Sequence, residues 1–304
     1  MSFFKSLKNK ISEHNGAQGS YQEPPKWAPA PEKPHQYGLR NEAPAAEYEA
    51  AEKFCQQYPP QAPRLVCSDV VDRINAIGCK AWGIEPSTSP RFAGCVQNAS
   101  DRKDVSTCRV QTTAECKDIC LLSDLPITAG LYDIQGKTGV YYELYIRKME
   151  GLIAIGTACR PYPAWRLPGW NRLSAGLHLD DLRKFFEDPD GGRDYTDTIT
   201  SIRSGDTVGC GYEFASGTLF FTYNGIRLPP AFTGIYLPRQ SHDVFAAIGV
   251  EGDCDFEVNF GGDVFKWKEG NEWAWRVEGH AGRLNGSSGG VDDELPTYHD
   301  AGGY

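Results

Sequence analysis

Beyond Leu121 the chain breaks into short apolar runs separated by Gly, Asn, Asp and Pro at close intervals, and this rhythm confines it to an antiparallel sandwich or barrel. Val140, Tyr142, Leu144 and Ile146 share one face of an extended segment with period two, the pattern of a half-buried strand. A second strand is expected over residues 152–157, after a Glu150-Gly151 turn. Residues 218–223 run through Asn224-Gly225 into Ile226-Arg227-Leu228. This predicts a tight hairpin, because both turn residues tolerate the positive φ of a type I′ turn. Residues 245–250 and 256–260 are expected to add two further strands.

The chain has 304 residues, 40% of them hydrophobic, enough for one sizeable core with tails. Four segments are expected. Residues 1–44 form a disordered N-terminal segment with a short amphipathic start, and residues 45–120 supply short helices and an extended lead-in packing on the core. Residues 121–280 form the main β domain, and residues 281–304 a disordered tail. Within the first segment Phe3, Phe4, Leu7 and Ile11 recur at helical spacing beside Lys5, Lys8 and Lys10, a basic amphipathic pattern that lies on an anionic membrane or docks on the domain. The Pro-, Gln- and Ala-rich stretch that follows reads as linker. Ala and Glu content predicts a helix over 45–57. Ser68 is expected to cap a second helix over 69–77, ended by Gly78. Arg109-Val110-Gln111-Thr112 reads as extended.

Charge and cysteine usage exclude several classes of function. A formal net charge of −9 is opposite to the basic face that phosphate backbones require, so no nucleic-acid partner is expected. No apolar run is long enough to span a bilayer as a helix. The start lacks a secretory core, and Ser2 stands where myristoylation needs glycine, so a cytoplasmic location is expected. The 10 cysteines contain no CxxC pair and read as buried small hydrophobes. Cys108, Cys116 and Cys120 come nearest to a metal cluster but have no histidine close in sequence, so neither metal nor cofactor is expected. Asp188-Pro189-Asp190-Gly191-Gly192 has the look of a calcium loop, yet Ile199 occupies the position of the bidentate glutamate.

Catalysis finds little support. Of the 6 histidines, His178 near Asp180 is the one candidate for a nucleophile–base arrangement, and no nucleophile elbow or P-loop accompanies it. No catalytic residue is expected, and a small hydrolase is the remaining enzymatic alternative. Trp267, Trp273 and Trp275 have the residue type of a sugar-stacking platform, but closure of the core against the helices near Val70 and Ile74 is expected.

The same β segments carry a family resemblance. Residues 139–146, Ile153-Ala154-Ile155-Gly156, residues 205–210, residues 217–225, residues 245–249 and Val258-Asn259-Phe260-Gly261 resemble, in order, the blocks of a SPRY domain. The resemblance implies an all-β fold, a SPRY-type antiparallel β-sandwich of two face-to-face sheets, here with short N-terminal helices and disordered tails. Residues 158–166, residues 168–173 and Lys184-Phe185-Phe186 look more narrowly like fungal SPRY adaptors that bring cargo to a WW-containing HECT ubiquitin ligase. The chain departs from the membrane-tethered adaptors in lacking an amino-terminal transmembrane helix and a full Pro-Pro-x-Tyr motif. That leaves membrane delivery to the amphipathic start or to a partner.

Two binding sites are expected. Arg160, Pro161, Tyr162, Trp165, Arg166, Pro168 and Trp170 concentrate hot-spot residue types in one inter-strand loop, and SPRY domains commonly bind partners through such loops. The alternative is that Trp165 and Trp170 close one end of the sandwich. Leu295, Pro296, Thr297 and Tyr298 form a Leu-Pro-x-Tyr variant of the WW ligand, in which a polyproline II segment lays Pro296 in an aromatic groove and Tyr298 fills a second pocket. The expected role is an adaptor in ubiquitin-dependent endosomal or vacuolar sorting, with a scaffold subunit of another regulatory complex as the alternative.

Overall fold

The structure, a computed structural model, describes residues 44–101 and 104–279. One sheet runs in the order β1 (Gly94–Gln97), β2 (Cys108–Thr112), β13 (Cys254–Asn259), β4 (Gly139–Met149), β9 (Thr207–Glu213), β10 (Thr218–Tyr223), β11 (Ile226–Phe232). The other runs β3 (Ile119–Leu122), β12 (Val244–Glu251), β5 (Leu152–Cys159), β6 (Ser174–His178), β7 (Arg183–Phe186), β8 (Arg193–Asp194). Every pairing between these strands is antiparallel. The expected all-β sandwich is therefore what these residues form. The lead-in does more than pack on it, because β1 and β2 extend one sheet and β3 closes the edge of the other.

Alternation along the strands explains how the sheets meet. Val140, Tyr142, Leu144 and Ile146 of β4 share one buried core with Ile153 and Ile155 of β5 and with Ile248 and Val250 of β12. Each such fully buried side chain stabilises the fold by about 1.5–3 kcal/mol. The Tyr142 hydroxyl donates to the Gly156 carbonyl at 2.5 Å, a hydrogen bond from one sheet to the other that satisfies the only polar atom of that side chain.

The predicted hairpin is present. Tyr223 pairs with Ile226 across a two-residue loop in which Asn224 has φ 49° and Gly225 φ 84°. A Cβ at Gly225 would also stand 2.6 Å from the Lys266 carbonyl, so glycine is required there by space as well as by φ. Helix α1 (Ala45–Gln57) has the expected bounds. Helix α2 (Ser68–Ile77) ends at Gly78, φ 60°, as expected, but Ser68 is its first helical residue and not its cap. Cys67 holds the cap position, and no side chain caps the helix there.

After β13, residues 264–279 form a strap of short 3-10 turns across the outer face of the seven-stranded sheet. Phe265, Trp267 and Trp275 bury there against Tyr141 and Phe220. Core closure is thus correct for two of the three tryptophans but against a different surface. The rings meet the back of the sheet, and the turn that follows α2 is reached instead by Arg276, whose Nη2 lies 3.1 Å from the Cys79 sulfur. Trp273 is 55% exposed, with the Lys137 ammonium 4.7 Å from its ring centre.

Candidate protein-binding face

The loop between β5 and β6 folds back over the outer face of the six-stranded sheet. That face is made of small and apolar residues, Leu152, Ala154, Ala158 and Ala247, which need a cover. Leu167 and Trp170 bury on Leu152, Ala154 and Phe185, while Tyr162 buries on Cys120, Ala158 and Ala247. The Tyr162 hydroxyl donates to the Leu167 carbonyl at 2.6 Å and the Arg166 Nε to the Asn171 Oδ1 at 3.0 Å. The Arg166 guanidinium also lies over the Trp170 ring at 4.4 Å.

Of the seven loop residues expected to meet a partner, Tyr162, Arg166, Pro168 and Trp170 are buried, whereas Arg160, Pro161 and Trp165 are partly exposed. Burial lowers the pKa of Arg166 from its usual value, against the pull of nearby carboxylates that include Asp118 and Glu47. The buried members hold the loop in shape and present the exposed ones.

Arg160 lies between two adjoining clefts. One, of about 420 Å³, is lined by Glu85, Ser87, Thr88 and Ser89 on one side and by Pro161, Tyr162 and Ala164 on the other, over β3. The second, of about 280 Å³, lies between the 61–67 segment and Asp243 and Phe245. Arg160 and Gln61 line both, and the Gln61 amide donates to the Arg160 carbonyl at 2.8 Å. The Arg160 guanidinium donates to Glu85 at 2.6 Å and to the Ser123 carbonyl at 2.8 Å, and it stacks over Phe245 at 4.4 Å. Sequence reasoning did not assign Glu85, Ser87, Thr88 or Ser89 to a site. Their Pro-flanked polar run reads as a loop, and nothing local reveals which sheet edge it faces.

Helix α1 lies on the far side of the same loop. Trp165 meets Phe54 edge-on at 5.7 Å and donates its indole N–H to the Glu47 carbonyl at 3.3 Å. Arg91 holds the Glu47 carboxylate at 2.9 Å and 3.3 Å, Asn171 donates to Glu52 at 3.1 Å, and Arg172 donates to the Cys55 and Tyr58 carbonyls. Beneath this contact, burial and the Glu251 carboxylate raise the Asp118 carboxyl to about 7, against the pull of Arg91.

The groups considered for catalysis are occupied otherwise. His178 is buried, stacked on Phe185 at 4.0 Å, with its Nε2 3.0 Å from the Pro168 carbonyl, and burial lowers its pKa to about 4. The Cys120 thiol beside the larger cleft is pushed up by burial, and no histidine lines that cleft. Cys108 and Cys116 sit in the central core and Cys120 on the opposite face of its sheet, and among the described residues no three potential ligands converge on a metal site. Nor is any described helix long and apolar enough to cross a membrane. Leu295, Pro296, Thr297 and Tyr298, like Phe3, Phe4, Leu7 and Ile11, lie outside the described residues.

Residues 139–263 match the SPRY domain family, an interval that contains all the blocks noted in the sequence. The chain therefore carries a SPRY domain over these residues. Among relatives that match a larger part of the chain are fungal proteins named Ssh4. The one from Sclerotinia sclerotiorum is 30% identical over 249 residues, 78% of this chain and 41% of that protein. The one from Coccidioides immitis is also 30% identical over 249 residues, 79% of this chain and 44% of that protein. The chain thus spans less than half the length of either relative. Among solved structures, a human SPRY domain aligns with 51% of this chain and 92% of its own at 24% identity, with a TM-score of 0.41.

Proposed function

We propose that the protein is a non-catalytic adaptor whose SPRY domain holds one partner while Leu295-Pro296-Thr297-Tyr298 recruits a WW-domain ubiquitin ligase for endosomal or vacuolar sorting. The observation that carries the binding half is the pair of clefts joined at Arg160, a concave surface lined by cations, carboxylates, hydroxyls and an amide, with no histidine in either lining. Such a surface suits recognition. The ligase half rests on the motif in residues 281–304, read as a recruiting tail, and on the resemblance of residues 158–166 and 168–173 to fungal SPRY adaptors. Two tethered sites raise the effective concentration of ligase at the bound partner without either carrying out chemistry. In the same reading Phe3, Phe4, Leu7 and Ile11 give peripheral membrane contact.

The two halves are tested separately. Titrating a WW domain with a peptide of residues 290–304 should give saturable binding that Tyr298→Ala weakens at least tenfold. Equal affinity for both peptides removes the ligase link. For the cleft, Thr88→Arg places a long cation over the larger opening from an exposed position. Affinity capture with wild type and this variant, compared by quantitative mass spectrometry, should lose a defined set of partners. Identical sets would place recognition elsewhere.

A further inference from the structure

Helix α1 is held in an unusual way for a helix so lightly packed. Of its 13 residues only Ala51 is buried, no side chain caps its N-terminus, and its last turn carries no basic residue of its own. A helix of this length is marginal in water by itself. What holds it comes from the domain side. Arg91 grips the Glu47 carboxylate, Asn171 the Glu52 carboxylate and Trp165 the Phe54 ring, while Arg172 donates to the carbonyls of Cys55 and Tyr58 that the helix end leaves open. Ala51 and Phe54 follow Glu47 by four and seven residues and share its helical face, while Asn171 reaches Glu52 on the flank of that face.

None of these contacts depends on α1 belonging to the same chain. The domain reads two carboxylates, one aromatic ring and the carbonyl end of a helix, using two arginines, an asparagine and a tryptophan. Charge is complementary where the Glu47 carboxylate pairs with Arg91, and the Glu52 carboxylate accepts from Asn171 beside Arg172. We infer that the surface formed by Arg91, Trp165, Asn171 and Arg172 is a helix-docking site that α1 fills in cis. Its partner in trans is an acidic amphipathic helix carrying an aromatic residue seven positions after a glutamate. Such a partner displaces α1, whose tether gives it an advantage only through effective concentration. The inference rests on the adaptor reading in naming a protein partner, but it concerns neither the WW motif nor the larger cleft, and its test can fail independently of both.

The probe is a fluorescein-labelled peptide of residues 44–58, titrated into the full chain and followed by anisotropy. The wild-type chain, with α1 in place, should bind it weakly. A chain carrying Glu47→Lys and Phe54→Ala, which weakens the cis helix and leaves the docking surface intact, should bind it at least tenfold more tightly. Adding Arg172→Ala to that chain should abolish the gain. Equal binding by the wild-type and double-variant chains, or equal binding of a scrambled peptide, overturns the proposal. Hydrogen exchange on the unmodified chain gives a second arm that needs no variant to fold. The α1 amides should exchange at least a hundredfold faster than those of β12, and equal protection overturns the proposal.

Discussion

The two outer faces of the sandwich are covered by different physics. On the seven-stranded sheet the strap of residues 264–279 buries Phe265, Trp267 and Trp275 against Tyr141 and Phe220, with Trp267 and Trp275 5.0 Å apart and edge-on. On the six-stranded sheet the loop after β5 buries Tyr162, Leu167 and Trp170, but the next layer, α1, is attached chiefly through charges and backbone carbonyls. Apolar rings lose contact energy wherever they move, so the strap is a permanent part of the fold. Polar contacts on a partly solvated helix exchange readily for water or for an equivalent partner, so the second cover is the one suited to function.

The comparison is most easily broken at Trp267. Replacing it with Ala empties the middle of the aromatic cluster and should cost about 3–5 kcal/mol in denaturant unfolding. A loss no greater than that of Phe54→Ala would make the two covers equivalent. Glu143 comes next. It is 5% exposed and accepts hydrogen bonds from the Tyr141 hydroxyl at 2.9 Å and the Lys266 amide at 3.1 Å, so it ties the strap to the sheet. Glu143→Ala leaves the Lys266 amide without that acceptor and should cost about 1–3 kcal/mol by the same measurement. Phe54→Ala, on the lightly attached cover, should cost only about 1 kcal/mol and leave the cooperativity of unfolding unchanged.

A further effect depends on pH. The Asp118 carboxyl is raised from 3.8 to about 7 by burial first and the Glu251 and Glu47 carboxylates after it, with Arg91 and Arg166 opposing. Its folded-state pKa lies above the unfolded value, so the folded state binds the extra proton and stability falls as pH rises between about 4 and 7. Asp118→Asn removes this slope. The variant should match wild type in thermal midpoint near pH 4 and exceed it at pH 8, and an unchanged difference across that range would disconnect Asp118 from the stability of this cover.

Much of the sandwich is legible residue by residue. Alternation in β4 places Val140, Tyr142, Leu144 and Ile146 inward, and Asn224-Gly225 specifies a turn because few other pairs tolerate two positive φ values. The SPRY blocks extend that reading over residues 139–263. The candidate site was legible in part. A loop rich in Arg, Tyr and Trp is visible in sequence, but local pattern does not distinguish an aromatic that meets a partner from one that covers a sheet of alanines. Tyr162 and Trp170 do the second, while Trp165 stays partly open and meets α1. For Trp267 and Trp275 burial was foreseeable and the partner was not, because Tyr141 reads as the solvent side of a half-buried strand until the strap lies on it.

What the sequence determined alone was whatever depends on neighbours along the chain, namely strand faces, the hairpin and the bounds of α1. Tertiary structure decided which faces are covered twice, which arginine caps which helix end, and where two clefts meet at Arg160. The physical reason is range. Periodicity and turn chemistry act over a few residues, whereas Glu47 and Arg91, or Cys55 and Arg172, meet only when the closed sandwich brings distant segments to one surface.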